Sequence, residues 1–446
     1  MRFRTLRIYI GKRYCGDLFQ YGQGHTAITR FTPHREFWLD PAAPVLGWAG
    51  RQGTDRERQL FLADAAMQPF FNGSGERLPA FFQNLLPEGP LRKHLEQLRK
   101  CPPDDHMEIL AMCGDDLPGN VYAKPGPEDR TAMEAVVTQG HDALEMTVIE
   151  APLAGATSLS GIQPKLGLVE KGGRYVARTR LGKGGKHIIA KLPTAEYALL
   201  PEVEELSLRL ARAAGVTTCE AALRPVDTIA PENQPYTLAA GRQFLAVTRF
   251  DRSPTGHIHC EDFAQVLDVD PSEKYRDAHE RASYAAMLLV IDRAMGLGER
   301  AQFEIMRRLM VNEMLGNLDA HLKNFGVIYA DGVTPALSPA YDVVAYAAYM
   351  KLKGHALSFY RGAPQRAEIT PALVRGLCNA VGMSEPKVRA ELAGTVTLAR
   401  EKWPQMIEDS ALMPEHKTRL MEHFESVPAV QAQARRTGIR AARGKG

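Results

Sequence analysis

The sequence predicts an α+β fold with two lobes, the first β-rich and the second mostly helical, preceded by an extra N-terminal β-rich module. Three observations predict it. Short strand-like runs fill the stretch from Gly161 to Phe250, with a single helical pattern among them. Beyond Asp262 the pattern is helical to the end, and ahead of both lies a segment that mixes strand and turn signals. The length of 446 residues fits two or three domains at about 150 residues each. Boundaries are expected to give an N-terminal module over 1–125, a β-rich lobe over 126–253 and a helical lobe over 254–446.

In order along the chain, Leu6 to Leu18 alternates apolar with polar residues and breaks at Gly11, which predicts a β-hairpin. From Pro79 to Lys100 the pattern turns helical, and Cys113 to Gly119 is dense in turn formers. The polar, Pro- and Gly-bearing residues from Lys124 to Arg130 suit a boundary. Strands are expected at 161–168, 175–178, 187–192 and 243–250, and a helix over 201–214 that Gly215 ends. Further helices are expected near 278–295, 300–318, 371–381, 386–402 and 413–425.

Composition excludes several classes. An apolar fraction of 45% and a charged fraction of 24% suit a packed core, not a disordered or collagen-like chain. Fifty-five basic against 52 acidic side chains leave +3, too balanced to imply nucleic acid or anionic lipid by itself. The six cysteines are scattered with no CxxC pair and read as isolated thiols. The basic start lacks a signal-peptide apolar stretch, and the longest clean apolar run, Val343 to Met350, falls far short of the roughly 20 residues of a membrane span. A cytoplasmic location without membrane contact is the expectation.

The richest stretch is Leu315-Gly-Asn-Leu-Asp319-Ala-His321-Leu-Lys323-Asn324-Phe, with Asp342 eighteen residues after Asn324. In protein kinases a loop Asp takes the acceptor proton, an Asn five residues on holds one Mg²⁺ and a later Asp holds another. Asp319 and Asn324 have that spacing. Phosphoryl transfer needs it because catalysis there is mostly the placing of oxygens and metal ions. Taken alone, the same residues favour a helix end capped by Asp and Asn, with His321 and Lys323 on a polar surface.

Three upstream features fit the same chemistry. Ser158-Leu-Ser160-Gly161-Ile-Gln163-Pro-Lys165 is a small-residue turn whose backbone N–H groups suit phosphate, or else a plain hairpin turn. Lys191 lies on the apolar strand His187-Ile-Ile-Ala-Lys191, placed to meet phosphates and a helix Glu, or simply to reach water. Glu204 is its suitable partner, with Glu202 and Glu205 as close competitors. Phe244 to Asp251, including Thr248, Arg249 and Phe250, forms a strand whose backbone suits adenine as a hinge.

Together these residues resemble the HipA family, the serine/threonine kinase toxins of type II toxin–antitoxin pairs. The resemblance also rests on Phe82-Gln-Asn84-Leu-Leu86-Pro87, Gly114-Asp115 with Pro118-Gly119, Arg249-Phe250-Asp251, Glu261-Asp-Phe with Gln265, and Lys274-Tyr275. It implies a protein-kinase-like core that uses ATP and Mg²⁺. Asp319 would be the base, Asn324 and Asp342 the metal ligands, and Lys191 with Glu204 the phosphate clamp. His321 stands where ordinary kinases carry lysine, which passes charge stabilisation to Lys323. Ser158 matches the family's autophosphorylated serine, and Ser160 shares or competes for that role. Phosphate there adds roughly −1.5 to −2 charge, which repels nucleotide and switches the enzyme off.

The resemblance further implies an aminoacyl-tRNA synthetase as substrate, with glutamyl-tRNA synthetase the leading choice. It also implies a HipB-like helix-turn-helix antitoxin and, through that complex, operator DNA. A small-molecule phosphotransferase and a catalytically silent DNA-bound co-repressor are the alternatives. Five cations among the last twelve residues, from Arg435 to Lys445, suit a disordered solubilising end or a phosphate-backbone contact.

Overall fold

The structure is a computed structural model, and it describes residues 2–126, 145–146, 152–153, 156–159, 163–177, 185–230, 241–351 and 353–443. Ser160 and Gly161 lie outside the described residues. The fold is mixed helix and sheet. The chain forms two compact units, each assembled from separated stretches. The first comprises Met1–Ile188, Phe250–Pro271 and Val327–Thr334; the second comprises Ile189–Arg249, Ser272–Gly326 and Pro335–Gly446.

In the first unit, the predicted hairpin forms from Arg2–Ile10 and Arg13–Tyr21, with Leu6 opposite Leu18 and Gly11 in the left-handed turn at φ 57°. Ile28–Pro33 and Val121–Pro125 extend the antiparallel sheet on either side. Leu6, Ile8 and Ile10 are buried as one alternating set, and Arg4 falls on the same face. That buried charge is met by Asp105 at 2.7 and 2.6 Å. The expected helix over 79–100 is two helices, Ala80–Asn84 and Gly89–Arg99, because Pro87 cannot continue the first. Gln83 and Asn84 are buried, and their amides donate to Leu78 O (2.8 Å) and Val269 O (2.9 Å). Strands Lys165–Lys171 and Arg174–Ala177 form a second hairpin.

In the second unit, the Lys191 end of the strand Lys186–Lys191 neighbours Gln243–Thr248, which pairs antiparallel with Ala221–Pro225. The helix Leu200–Ala213 buries Val203, Glu204, Leu206, Ser207 and Leu210, and Trp403 of the helix Glu385–Glu408 donates its indole N–H to Leu210 O at 2.9 Å. The helix expected over 278–295 begins only at Tyr284 and passes into a π turn at Val290–Ala294. The Asp277 carboxylate explains the late start. It accepts the N–H of Ala282 (2.6 Å) and of His279 (3.1 Å), which holds the chain in a turn until Ser283 caps the helix. The helix Gly298–Leu315 ends on Gly316, left-handed at φ 63°; a Cβ there would lie 2.9 Å from the Ala347 Cβ. Pro371–Val381, Pro414–Ser426 and Pro428–Arg443 complete the helical part. The C-terminal stretch is therefore helix through Arg443 and not an irregular tail: Val430 is buried, and Gln433 donates to Thr397 Oγ1 at 2.9 Å.

All six cysteines are free thiols, and among the described residues no helix is long and apolar enough to cross a membrane.

Candidate active site

The loop that leaves Gly316 is closed by its own side chains. Asn317 donates to Asn312 Oδ1 at 3.0 Å and accepts the Asp319 N–H at 3.3 Å. Leu322–Asn324 forms one 3₁₀ turn, and the Asn324 amide donates to Asp319 O at 3.0 Å. The five-residue spacing thus brings Asn324 back onto the backbone of Asp319 and aims the rest of its carboxamide away from that bond. Three further hydrogen bonds anchor the loop: Tyr284 to Ala320 O (3.2 Å), Tyr341 to Lys323 O (2.9 Å), and Leu322 N–H to Lys274 O (3.3 Å).

Lys191 meets this loop from the sheet. Its ammonium donates to Glu204 Oε1 and to Asp342 Oδ1, and Glu202 and Glu205 on the same helix lie only half-buried. Burial disfavours the ammonium, but the carboxylates of Asp342 and Glu204 outweigh it and hold the proton on. Glu204 is fully buried, whereas the Asp342 side chain is 30% exposed, so one carboxylate anchors the lysine and the other faces outward. Asp342 is left-handed at φ 52°, a conformation that non-glycine residues adopt sparingly and that recurs at functional sites. Ser207 Oγ accepts the N–H of Ala345 at 2.9 Å, fixing the segment after Asp342 to the Leu200–Ala213 helix.

The two halves of the constellation converge. Asn324 and Asp342 line one cavity with Tyr341, Asn312, Asn317 and Arg308. The Tyr346 phenol is pushed up first by burial and then by the carboxylates of Asp319, Glu204 and Asp342, with Lys191 opposing them. The donors also suit the ion that kinase chemistry uses: Asp342 offers a carboxylate and Asn324 a carboxamide oxygen, the hard ligands magnesium prefers. Among the described residues no group of three or more His, Cys, Asp or Glu is placed to hold a metal by itself.

The remaining expected residues are placed as follows. His321 is buried with its ring edge-on to Tyr275 at 4.8 Å, and Lys323 is buried. Thr248 closes its strand by donating its N–H to Glu220 O at 2.8 Å; Arg249 is buried and Phe250 half-buried. Ser158, Gln163 and Lys165 belong to the first unit. There the Thr157 hydroxyl donates to Asp116 Oδ2 at 2.7 Å, the Ser158 N–H to Asp116 O at 3.2 Å, and the Ser158 hydroxyl to Leu85 O. Ser158 has no exposed surface, Lys165 is buried and Gln163 is half-buried. Sequence reasoning gave no chemical role to Tyr275, whose hydroxyl donates to Asp319 Oδ1 across 44 residues, or to Tyr346. A pair so far apart leaves no local signal.

Comparison with known proteins follows this geometry. The family model described as the HipA-like C-terminal domain matches residues 157–403, and that of the HipA N-terminal domain matches residues 6–124. A Sinorhizobium fredii protein named provisionally as a kinase, Y4dM, is 34% identical over 330 residues, which is 73% of this chain and 76% of the relative. Another provisionally named kinase of that organism, Y4mE, is 27% identical over 457 residues, covering 98% of this chain and all of the relative. Among solved structures, a chain of the Shewanella oneidensis HipA, HipB and operator DNA complex shares the fold at a TM-score of 0.64 and 18% identity, with 94% of this chain and 96% of that one covered.

Proposed function

The chain belongs to the HipA family, and on that premise we propose that it is a serine/threonine protein kinase, the toxin of a type II toxin–antitoxin pair. The observation that carries the reading is Lys191, held between the buried Glu204 and the outward-facing Asp342 beside the Asp319 loop. In the proposed reaction an acceptor hydroxyl oxygen bonds to the γ-phosphorus of ATP, the bond to the bridging oxygen breaks, and the hydroxyl proton passes to Asp319. Lys191, oriented by Glu204, binds the α/β-phosphates. Asn324 and Asp342 would hold magnesium, which when bound neutralises charge on the phosphate oxygens. Lys323, behind His321, adds positive charge near the transferred group. Thr248, Arg249 and Phe250 supply the adenine hinge, and Ser158, Ser160, Gly161, Gln163 and Lys165 the phosphate loop.

Autophosphorylation at Ser158 or Ser160 would place two negative charges' worth of phosphate in that loop and silence the enzyme. A HipB-like antitoxin and operator DNA are the proposed partners, supported by the assembly in which the Shewanella chain occurs. The proposed substrate is an aminoacyl-tRNA synthetase, glutamyl-tRNA synthetase first, on the family resemblance. The test is transfer of labelled phosphate from ATP with Mg²⁺ by the full chain. Transfer to Ser158 or Ser160, and to the synthetase, is expected, with a loss of about 10²–10⁴-fold in Asp319→Asn. An Asp319→Asn protein that labels as fast as the wild type would overturn the assignment.

A further inference from the structure

We propose that Tyr275 governs what reaches Asp319: its hydroxyl occupies the place an acceptor hydroxyl must take, so it admits acceptors that displace it and discriminates against water. The inference deepens the kinase reading and rests on Asp319 as the base.

A general base works only when the proton it will accept points at one of its oxygens within hydrogen-bond reach. Tyr275 already makes such a contact, since its O–H donates to Asp319 Oδ1. This tyrosine is no core residue; it is 41% exposed, unlike the fully buried Tyr284 and Tyr329. It is nonetheless held in place at three points. The carbonyl of Lys274 accepts the Leu322 N–H at 3.3 Å, the ring edge meets His321 at 4.8 Å and 84°, and the Lys274 ammonium lies 5.8 Å from the ring centroid. A phenylalanine would keep all three. What the hydroxyl adds to these is the bond to the carboxylate.

That bond sets a threshold. A serine or threonine hydroxyl brought in by a docked substrate offers the same donor to the same oxygen, so the exchange costs little once docking supplies the remainder. A water molecule offers the donor without the docking. With the phenol present, water must displace a tethered competitor before its oxygen can bond to the γ-phosphorus, release ADP and pass its proton to Asp319. With the phenol removed, that competition ends.

The experiment uses the full chain with Mg²⁺ and ATP and follows two products, inorganic phosphate released and phosphate retained on Ser158. Relative to wild type, Tyr275→Phe is expected to raise phosphate release about three- to tenfold, the range of one exchanged hydrogen bond, with nucleotide affinity unchanged. Tyr275→Met also lacks the hydroxyl and carries no N–H or O–H donor, so it should act alike and covers the case in which the Phe variant fails to fold. Unchanged or lower release in a variant that still binds ATP would overturn the proposal. The two readings separate through Asp319→Asn. Hydrolysis that survives Asp319→Asn removes the base and this proposal with it. Hydrolysis that depends on Asp319 but ignores the phenol removes this proposal alone.

Discussion

Each unit of the molecule buries a cation between two carboxylates, and the two cations are built for different work. In the first unit Arg252 donates to Asp116 Oδ1 (2.7 Å), Asp251 Oδ2 (2.7 Å), Gly119 O (2.9 Å) and Leu117 O (2.8 Å). Its fork locks the Gly114–Gly119 turn in several directions at once, and the side chains of all three charged residues are almost fully buried. In the second unit Lys191 is a point charge on a flexible stem, held by one buried and one outward-facing carboxylate. A forked, enclosed arginine is suited to shape. A lysine with one exposed partner is suited to exchanging that partner for a phosphate.

Removing the fork gives the largest expected effect. Arg252→Met removes the forked cation from between two buried carboxylates and should cost about 3–5 kcal/mol of stability. Arg252→Lys restores the charge without the fork, so denaturant titration should show it closer to Met than to wild type. If Lys proves as stable as Arg, charge and not geometry holds the turn. The reciprocal swap comes next. Lys191→Arg keeps the charge but replaces a compact donor with a planar head. Phosphate transfer should fall roughly 10- to 100-fold, about the weight of one misplaced electrostatic contact, while thermal stability stays near wild type. Loss of both together would make Lys191 as much a scaffold as Arg252.

The same contrast governs what was legible in the sequence. The Leu6–Leu18 hairpin and the Gly215 stop showed because period-two alternation and a left-handed glycine leave local marks. The Asp319–Asn324 spacing showed because its closing bond spans only five residues. Arg252 and its chain neighbour Asp251 meet Asp116 across 136 residues, and no local pattern announces an arginine fork. The strand Ala221–Pro225 was missed since only its pairing with Gln243–Thr248 makes it a strand. The 278–295 stretch has helical apolar spacing throughout, but the Asp277 carboxylate takes the N–H groups that would begin a helix there. The motif Phe82 to Pro87 was visible as a pattern; that its Gln and Asn serve as buried backbone clamps was visible only in three dimensions.

A buried acid with no cation beside it among the described residues sharpens the comparison through pH. Glu261 accepts the Trp48 N–H at 3.0 Å and the Tyr329 hydroxyl at 2.6 Å, and burial pushes its carboxyl up from 4.5 to about 8. Raised on folding, this group stabilises the fold fully below about 4.5, and the contribution drains away as pH climbs to about 8. Glu261→Gln has no such proton to lose. The melting temperature of the Gln variant minus that of wild type should therefore grow by a few degrees between pH 5 and 8, with the neighbouring His259 cancelling in the difference. A flat difference would mean that the carboxyl titrates as an ordinary one.

The smallest effect concerns the loop that Arg252 helps to seat. Asp116 accepts from Arg252 at 2.7 Å and from the Thr157 hydroxyl at 2.7 Å, while the neighbouring Ser158 has no exposed surface. A hydroxyl so enclosed can receive phosphate only after its segment opens, and opening breaks the Thr157 bond. Thr157→Val removes that bond at near-constant shape, which makes opening easier by about 1 kcal/mol, or roughly fivefold in population. A time course of phosphate on Ser158 should quicken by a similar factor, and Thr157→Ser, which keeps the hydroxyl, should stay near wild type. Labelling of the Val variant at the wild-type rate would shift the restraint to the Ser158–Leu85 contact, since that is the other side-chain bond holding the serine in its enclosed position.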